Sequence, residues 1–590
     1  MRMRMSFTGL AVVALTGSLA LAACRGDDPG GGTPAQLGLE ACDDNPNDCN
    51  SGPRADGGEI VWMINQGHDG AFNSLRPEGN SVYLAQMLKG LDDGLLVGHF
   101  EPAGSWQWNM DLLQEPAELT SEDPMTVVYR IREDAVWSDG TAIDLDDALW
   151  HWYHNSARED QCVGCNPRAT TFHDTTASIE GADNGKTITI TYDDGFASPE
   201  WFARGLFTYP AHIAQAEAGD WQNDPEAMGA SSEYFLVTAP TWSAGPYIVE
   251  EWVADERQVL VPNEAWWGET QPSLDRLIKV VISDQPSWVP AMQNGEIHGG
   301  APASFTPDGL QRMSEVPGAL TNTGSAGAVW EHVDINMDSI TDVTLRQAIF
   351  LALNREDART RIYGDLEPPF RNNHIFPQLS PYYEDHLTAT GYATGNADEA
   401  RRILTEAGYT GAEAGGALTD PEGEAVPELR FAFLQGNENR ATFTELAQNY
   451  LGEIGLTIVP DPIPGDQLGT ILSTQDYDLV IFGWSGSPLF ANASHQFYHS
   501  TSGSNFGRLN DPQVDDLAEQ IRDQIDVAAS AELVNQLVPL VLEQAYVLPL
   551  WDTLNLMFVS DQYVNIRDNH NSSLRSLYNT ANWGGLATAG

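Results

Sequence analysis

From Gly58 to the end of this 590-residue chain, strand-like and helix-like stretches alternate without a break. That alternation constrains the fold more than any single motif, because it implies α/β architecture with helices covering sheets. One hydrophobic core stops growing at roughly 250–300 residues, so a body of this length needs at least two lobes. No repeat at solenoid spacing is visible. VVYRIRE (Val127 to Glu133) alternates apolar and polar side chains, as a half-buried strand does. SDGT (Ser138 to Thr141) reads as a turn, and Asp144 with Asp147 as a capping box opening the helix through ALWHWYHN. Leu345 to Glu356 reads as one amphipathic helix. Asn396 can cap the next helix, and Gly408 can end it. The apolar run DLVIF within YDLVIFGWSGSP (Tyr477 to Pro488) reads as a buried strand crossing between lobes.

The N-terminus reads as an address rather than as part of the fold. Arg2 and Arg4 make a basic start, and Phe7 to Ala20 is apolar but too short to span a bilayer comfortably. Leu21-Ala22-Ala23-Cys24 is similar to the bacterial lipobox, which implies cleavage before Cys24 and a lipid on its sulfur. The alternative is an ordinary secretory signal with an incidental cysteine. Residues 24–57 are rich in Gly, Pro, Asp and Asn, and read as a flexible stalk. No later segment is a transmembrane candidate. Export to an oxidising compartment favours disulfides for Cys42, Cys49, Cys162 and Cys165, which offer two local pairs. Cys162-Val-Gly-Cys165 could also be a redox motif or half a zinc site, but no second pair accompanies it.

Lys and Arg total 29 against 84 Asp and Glu, a formal net charge of −55. That excludes nucleic acid and an anionic membrane surface as partners. There are only three lysines, Lys89, Lys186 and Lys279. His151 and His154 lie i,i+3 on one helix but lack a third ligand at a known spacing, so no metal site is expected. No His-rich or Met-rich motif points to nickel or haem, and no cofactor is expected. GWSGS approaches the nucleophile elbow GxSxG, yet Ser487 replaces the last glycine and Pro488 opposes a following helix. With no HExxH either, the chain does not read as an enzyme, and a secreted serine hydrolase is the least favoured alternative.

Several blocks carry a resemblance. AELTSEDPMTVVYRIREDAVWSDGTAIDLDDALW joins a strand, a DGT turn and an acid-capped helix. SAGPYIVEEW, NEAWWGETQPSLDRLIKVVISD, AMQNGEIHGG, HVDINMD, DVTLRQAIFLALNRE and NADEARRILTEAGY follow in order, then YDLVIFGWSGSP and SNFGRLNDPQVDDL. Together they resemble the solute-binding proteins of peptide-type ABC importers, the bacterial extracellular solute-binding family 5. The resemblance covers nearly all of the chain after the stalk. It implies an α/β fold of the two-lobed, type II periplasmic-binding-protein kind, with an extra subdomain on lobe I and two crossover strands joining the lobes. The expected division is 1–23 signal peptide, 24–57 stalk, 58–285 lobe I with its subdomain, 286–488 lobe II, and 489–590 returning to lobe I. The resemblance also implies capture of a peptide or small solute outside the cell and delivery to a membrane permease. The protein is expected to be a monomer held by its lipid on the outer face of the cytoplasmic membrane. A ligand-sensing lipoprotein with no transport role would need the same lobe closure.

Trp484 is the leading ligand-binding candidate. An indole at the lobe junction offers a flat apolar face and one N–H donor. Ser485, Gly486 and Ser487 are small and leave backbone amides exposed beside it. In peptide-binding relatives an aspartate stands three residues after this tryptophan and pairs with the ligand's α-amino group; here that position is Ser487. A serine cannot supply the charge, so a blocked peptide, a sugar or another polar metabolite becomes as reasonable a ligand as a free peptide, unless an acid from another loop substitutes. The bland reading keeps Trp484 as a hinge core residue. The resemblance adds Asn336, Phe305 and Asn73 as further cleft candidates. Trp106 and Trp108 could be subdomain core or an apolar ligand wall.

Overall fold

A computed structural model describes residues 38–587, apart from 43, 69, 171, 303, 304, 325–328, 465, 466 and 487. The expected signal peptide, Cys24 and Ser487 therefore lie outside the described residues. Two large sheets organise the body. A seven-stranded sheet runs in the spatial order Ala319–Gly324, Asn555–Ser560, Gly299–Gly300, Glu59–Ile64, Arg276–Val281, Arg257–Pro262, Tyr247–Val253. A five-stranded sheet runs Ile458–Ile463, Leu429–Leu434, Leu479–Ser485, Val329–Ile335, Val547–Asp552. A separate antiparallel sheet of four strands (Glu118–Glu122, Met125–Arg130, Thr187–Tyr192, Thr176–Ala182) forms the subdomain, with the helices Leu145–Asn155, Ala211–Ala218 and Pro225–Val237. Its two central strands alternate strictly: in one, Met125, Val127 and Tyr129 point inward beside half-buried neighbours.

The chain passes between the two large sheets twice, from Gly324 to Val329 and from Asp552 to Asn555. The passages touch, since the Thr553 amide donates to the Val329 carbonyl at 2.8 Å. Among the described strands, the two sheets therefore exchange the chain only at these two passages. Residues 299–324 still supply strands to the first sheet, while the helices Ala491–Tyr498, Pro512–Arg522 and Val527–Glu543 pack with one another before Val547–Asp552 joins the second sheet. YDLVIFGWS is accordingly not a crossing. Its strand, Leu479–Ser485, lies in the middle of the five-stranded sheet, hydrogen-bonded on both sides, which is why Leu479 to Phe482 are buried.

Three local expectations resolve in detail. Asp144 and Asp147 do form the capping box of Leu145–Asn155. Leu345 to Glu356 is not one helix: Val343–Ala352 stops at extended Leu353, because Asn354 caps a new helix, Arg355–Tyr363, by accepting from the Asp357 amide. Of the expected stalk, residues 38–57 other than 43 are described, and some of them pack on the body. Leu39 joins the core under the seven-stranded sheet, Asn50 Nδ2 donates to the Ile566 carbonyl at 2.9 Å, and Cys42 is bonded to Cys49. No described helix is long and apolar enough to cross a membrane.

Candidate ligand-binding site

The residues with chemistry to offer gather where the chain crosses between sheets. Val329–Ile335 pairs antiparallel with Leu479–Ser485, setting Glu331 opposite Gly483 and Trp330 opposite Trp484. Helix Glu438–Gly452 begins at its cap, Asn437, and presents Arg440 to Glu331. The guanidinium grips the carboxylate with two parallel bonds, Nε to Oε2 at 2.9 Å and Nη2 to Oε1 at 2.8 Å. Gly483 is what lets this pair lie against the strand. A Cβ there would sit 3.2 Å from Glu331 Oε1 and 3.3 Å from Arg440 Nη2, so a side chain would push the pair away. Burial works against the charge on Arg440, but Glu331 beside it holds the group above its ordinary range.

The pair forms one wall of a cavity between the sheets, with Asn437, Asn439, Tyr363 and Trp551 from the five-stranded side, Thr553 and Leu554 from the second crossing, and Phe305 from the first lobe. Phe305 is buried, and its carbonyl accepts from Asn439 Nδ2 at 3.2 Å, a bond between lobes. Tyr83, on the helix Val82–Leu88 of the first lobe, lies within electrostatic reach of the pair. Burial raises its pKa, with Arg440 and Glu331 acting on it in opposite directions. The cavity is about 10 Å³, room for roughly one water. A solute of any size enters only if the lobes part.

Trp484 is half-buried beside this site and well occupied within its own lobe. It stacks on Phe497, with ring centroids 4.2 Å apart, and lies parallel to Phe506 at 5.4 Å and to His332 at 6.0 Å. Ser485 is exposed and Gly486 half-buried. Two expected cleft residues are engaged elsewhere. Asn73 is fully buried, its Nδ2 donating to the Ser232 carbonyl at 3.1 Å and its Oδ1 accepting from the Leu75 amide at 3.0 Å. Asn336 lies just past the end of its strand farther from the crossing, and donates to the Gln475 and Tyr477 carbonyls.

The remaining candidates are structural. His151 bonds Thr208 Oγ1 and His154 bonds Ser232 Oγ, and burial pushes both imidazoles down to about 3. Among the described residues, no cluster of His, Cys, Asp or Glu could hold a metal ion. Cys162 and Cys165 are bonded to each other, away from the cavity. Trp106 packs edge-on against Phe100, Trp108 and Phe202. Sequence reading missed Glu331, Arg440 and Asn439. The cap at Asn437 was available as a signal, but the pairing of Arg440 with a residue 109 positions away was not.

A family pattern described as bacterial extracellular solute-binding proteins, family 5, matches residues 105–506. The oligopeptide-binding protein OppA of Mycobacterium tuberculosis is 29% identical over 512 residues, covering 84% of this chain and 80% of OppA. Among solved structures, the periplasmic EDTA-binding protein EppA superposes with a TM-score of 0.83 at 29% identity, covering 92% of this chain and 99% of EppA. The oligopeptide-binding protein AppA of Bacillus subtilis, in complex with a nonapeptide, matches in fold with a TM-score of 0.77 at 18% identity, covering 91% and 100%. With two sheets joined by two crossings, a subdomain on the first lobe and a cavity between the lobes, the chain belongs to the bacterial extracellular solute-binding proteins of family 5.

Proposed function

We propose that this protein closes its lobes around a peptide or another small polar solute at the Glu331–Arg440 cavity, beside Trp484, and hands it to the permease of an ABC importer. As a member of its family it is an extracytoplasmic binding protein and not an enzyme. The observation that carries the reading of the site is the cavity itself, walled by both lobes at their crossings. A solute touching both walls favours closed over open by its differential contacts, and a permease can read that shape. Asn437 and Asn439 offer amides for carbonyl or hydroxyl groups, and Trp551 an apolar wall. The charged wall is already neutralised, since Glu331 and Arg440 answer each other. Such a wall suits neutral or zwitterionic solutes, which accords with relatives named for oligopeptides. Ser485 and Gly486, with Ser487, would complete the site from the open end of the strand, while Asn73 and Asn336 would support it only indirectly. A lipid on Cys24 would tether a monomer to the outer face of the cytoplasmic membrane.

Native mass spectrometry of protein purified without denaturation tests the reading. The expected result is a retained small solute, lost in Arg440→Met. No retained mass, together with no thermal stabilisation by any member of a peptide and sugar panel, would sink it.

A further inference from the structure

The loop after Thr187–Tyr192 carries a buried carboxylate that does not serve its own lobe. The loop is mounted rigidly on the four-stranded sheet. Arg204 Nη1 donates to Thr176 Oγ1 at 2.9 Å and to the Tyr192 hydroxyl at 2.8 Å. Tyr129 donates to the Trp201 carbonyl at 3.3 Å, and the Glu200 amide donates to Ser198 Oγ at 3.2 Å. From this mount the Glu200 side chain reaches into the other lobe. Its Oε1 accepts from the Ala491 amide at 2.6 Å and from the Asn492 amide at 3.4 Å, and its Oε2 accepts from Asn492 Nδ2.

These amides open the helix Ala491–Tyr498. The residue at its N-cap is Phe490, which has no side-chain acceptor, so the helix has no cap of its own. Glu200, 6% exposed, supplies one from 291 residues away. A carboxylate at a helix N-terminus is favoured by both the free N–H groups and the helix dipole. A second contact runs alongside: Ile525, in the link between Pro512–Arg522 and Val527–Glu543, packs against the apolar core of the subdomain. The helix that Glu200 holds begins only a few residues after Trp484, so the contact ties the subdomain to the segment beside the cavity.

We propose that Glu200 is a positioning residue of the binding cycle: seated on the first turn of Ala491–Tyr498, it latches the subdomain to the second lobe and holds the protein closed before solute arrives. Opening breaks all three bonds at once and returns the carboxylate and the helix end to water. The latch is therefore reversible, because hydration replaces what is lost. Burial raises the Glu200 pKa, with the amides of Ala491 and Asn492 opposing.

Single-molecule energy transfer tests this, with dyes on cysteines placed at exposed Glu180 and Gln520, one on the subdomain and one on the second lobe. With no solute added, the wild type is expected to populate the closed state. Glu200→Ala removes all three bonds and should lower the closed-to-open ratio at least about tenfold, since the net effect of even one charge-assisted hydrogen bond is about that large. Glu200→Gln keeps one acceptor oxygen and should fall between them. The urea midpoint of the subdomain should stay unchanged, which separates a latch from a merely structural role. A wild type found wholly open, or an unchanged ratio in Glu200→Gln and Glu200→Ala, would overturn the proposal. Should Glu200→Ala fail to fold, Glu200→Gln decides alone. Because no solute is used, the outcome does not depend on what the cavity binds.

Discussion

Replacing Arg440 with methionine removes one half of the pair that walls the cavity. The two side chains are 13% and 9% exposed and meet at 2.8 Å. At an effective dielectric constant of about 20, charges that close attract by about 6 kcal/mol, before the cost of taking both out of water. Loss of one partner leaves a carboxylate among Phe305, Ile481 and Trp551 with no counter-charge. We expect Arg440→Met to lower unfolding stability by about 3–5 kcal/mol, the range for a broken buried pair. The double variant Glu331→Gln/Arg440→Met should recover most of that loss, because neither charge is then stranded. Urea unfolding at neutral pH, followed by tryptophan fluorescence, measures all three proteins. A loss below about 1 kcal/mol in Arg440→Met would refute the reasoning, since that is the behaviour of a solvated pair. It would mean that Phe305 does not cover the pair in solution and that the lobes stand apart.

Two further outcomes follow from buried ionisable groups. His151, His154 and His374 are pushed down to about 3 by burial, so between pH 3 and 6.5 the unfolded chain binds protons that the folded one refuses, and stability should fall as pH drops through that window. Asp147, pushed up to about 7, acts in the opposite sense, so the clean measurement is a difference: His154→Asn should flatten the urea-stability slope by about 1.4 kcal/mol per pH unit, and an unchanged slope would count against the burial of His154. All three lysines are buried: Lys186 donates to the Ala135 and Ile143 carbonyls, Lys279 to those of Gln86, Met87 and Lys89, and Lys89 pairs with Asp92 and Asp93. An amine-reactive ester should leave them unmodified in the native protein and label all three after unfolding, as mass spectrometry would read directly.

Much of this protein was legible as local pattern. The capping box at Asp144 and Asp147, the Asn396 cap and the alternating strand at Met125–Arg130 depend on neighbours within a few residues, so the chain encodes them where they stand. Blocks of such elements in a fixed order were enough to point to the family and its two-lobed fold. Other local readings failed because a competing local signal was stronger. Asn354 began a new helix where periodicity alone promised one, and apolar residues such as Leu39 found a core that composition did not reveal.

The candidate site was legible only in part. Resemblance singled out Trp484 and Phe305, which lie at or beside the cavity, but not Glu331, Arg440, Tyr83 or Glu200, while Asn73 and Asn336 hydrogen-bond away from it. The sheet order decided which strands are crossings, because strand pairing joins residues far apart: Leu479–Ser485 is central only because Val329–Ile335 and Leu429–Leu434 flank it. The same folding brings Arg440 to Glu331 and Glu200 to Ala491. Helix caps and strand alternation are short-range steric and hydrogen-bonding choices that a sequence determines by itself. A cavity wall and a contact between lobes exist only once long-range packing has set distant side chains a few ångströms apart.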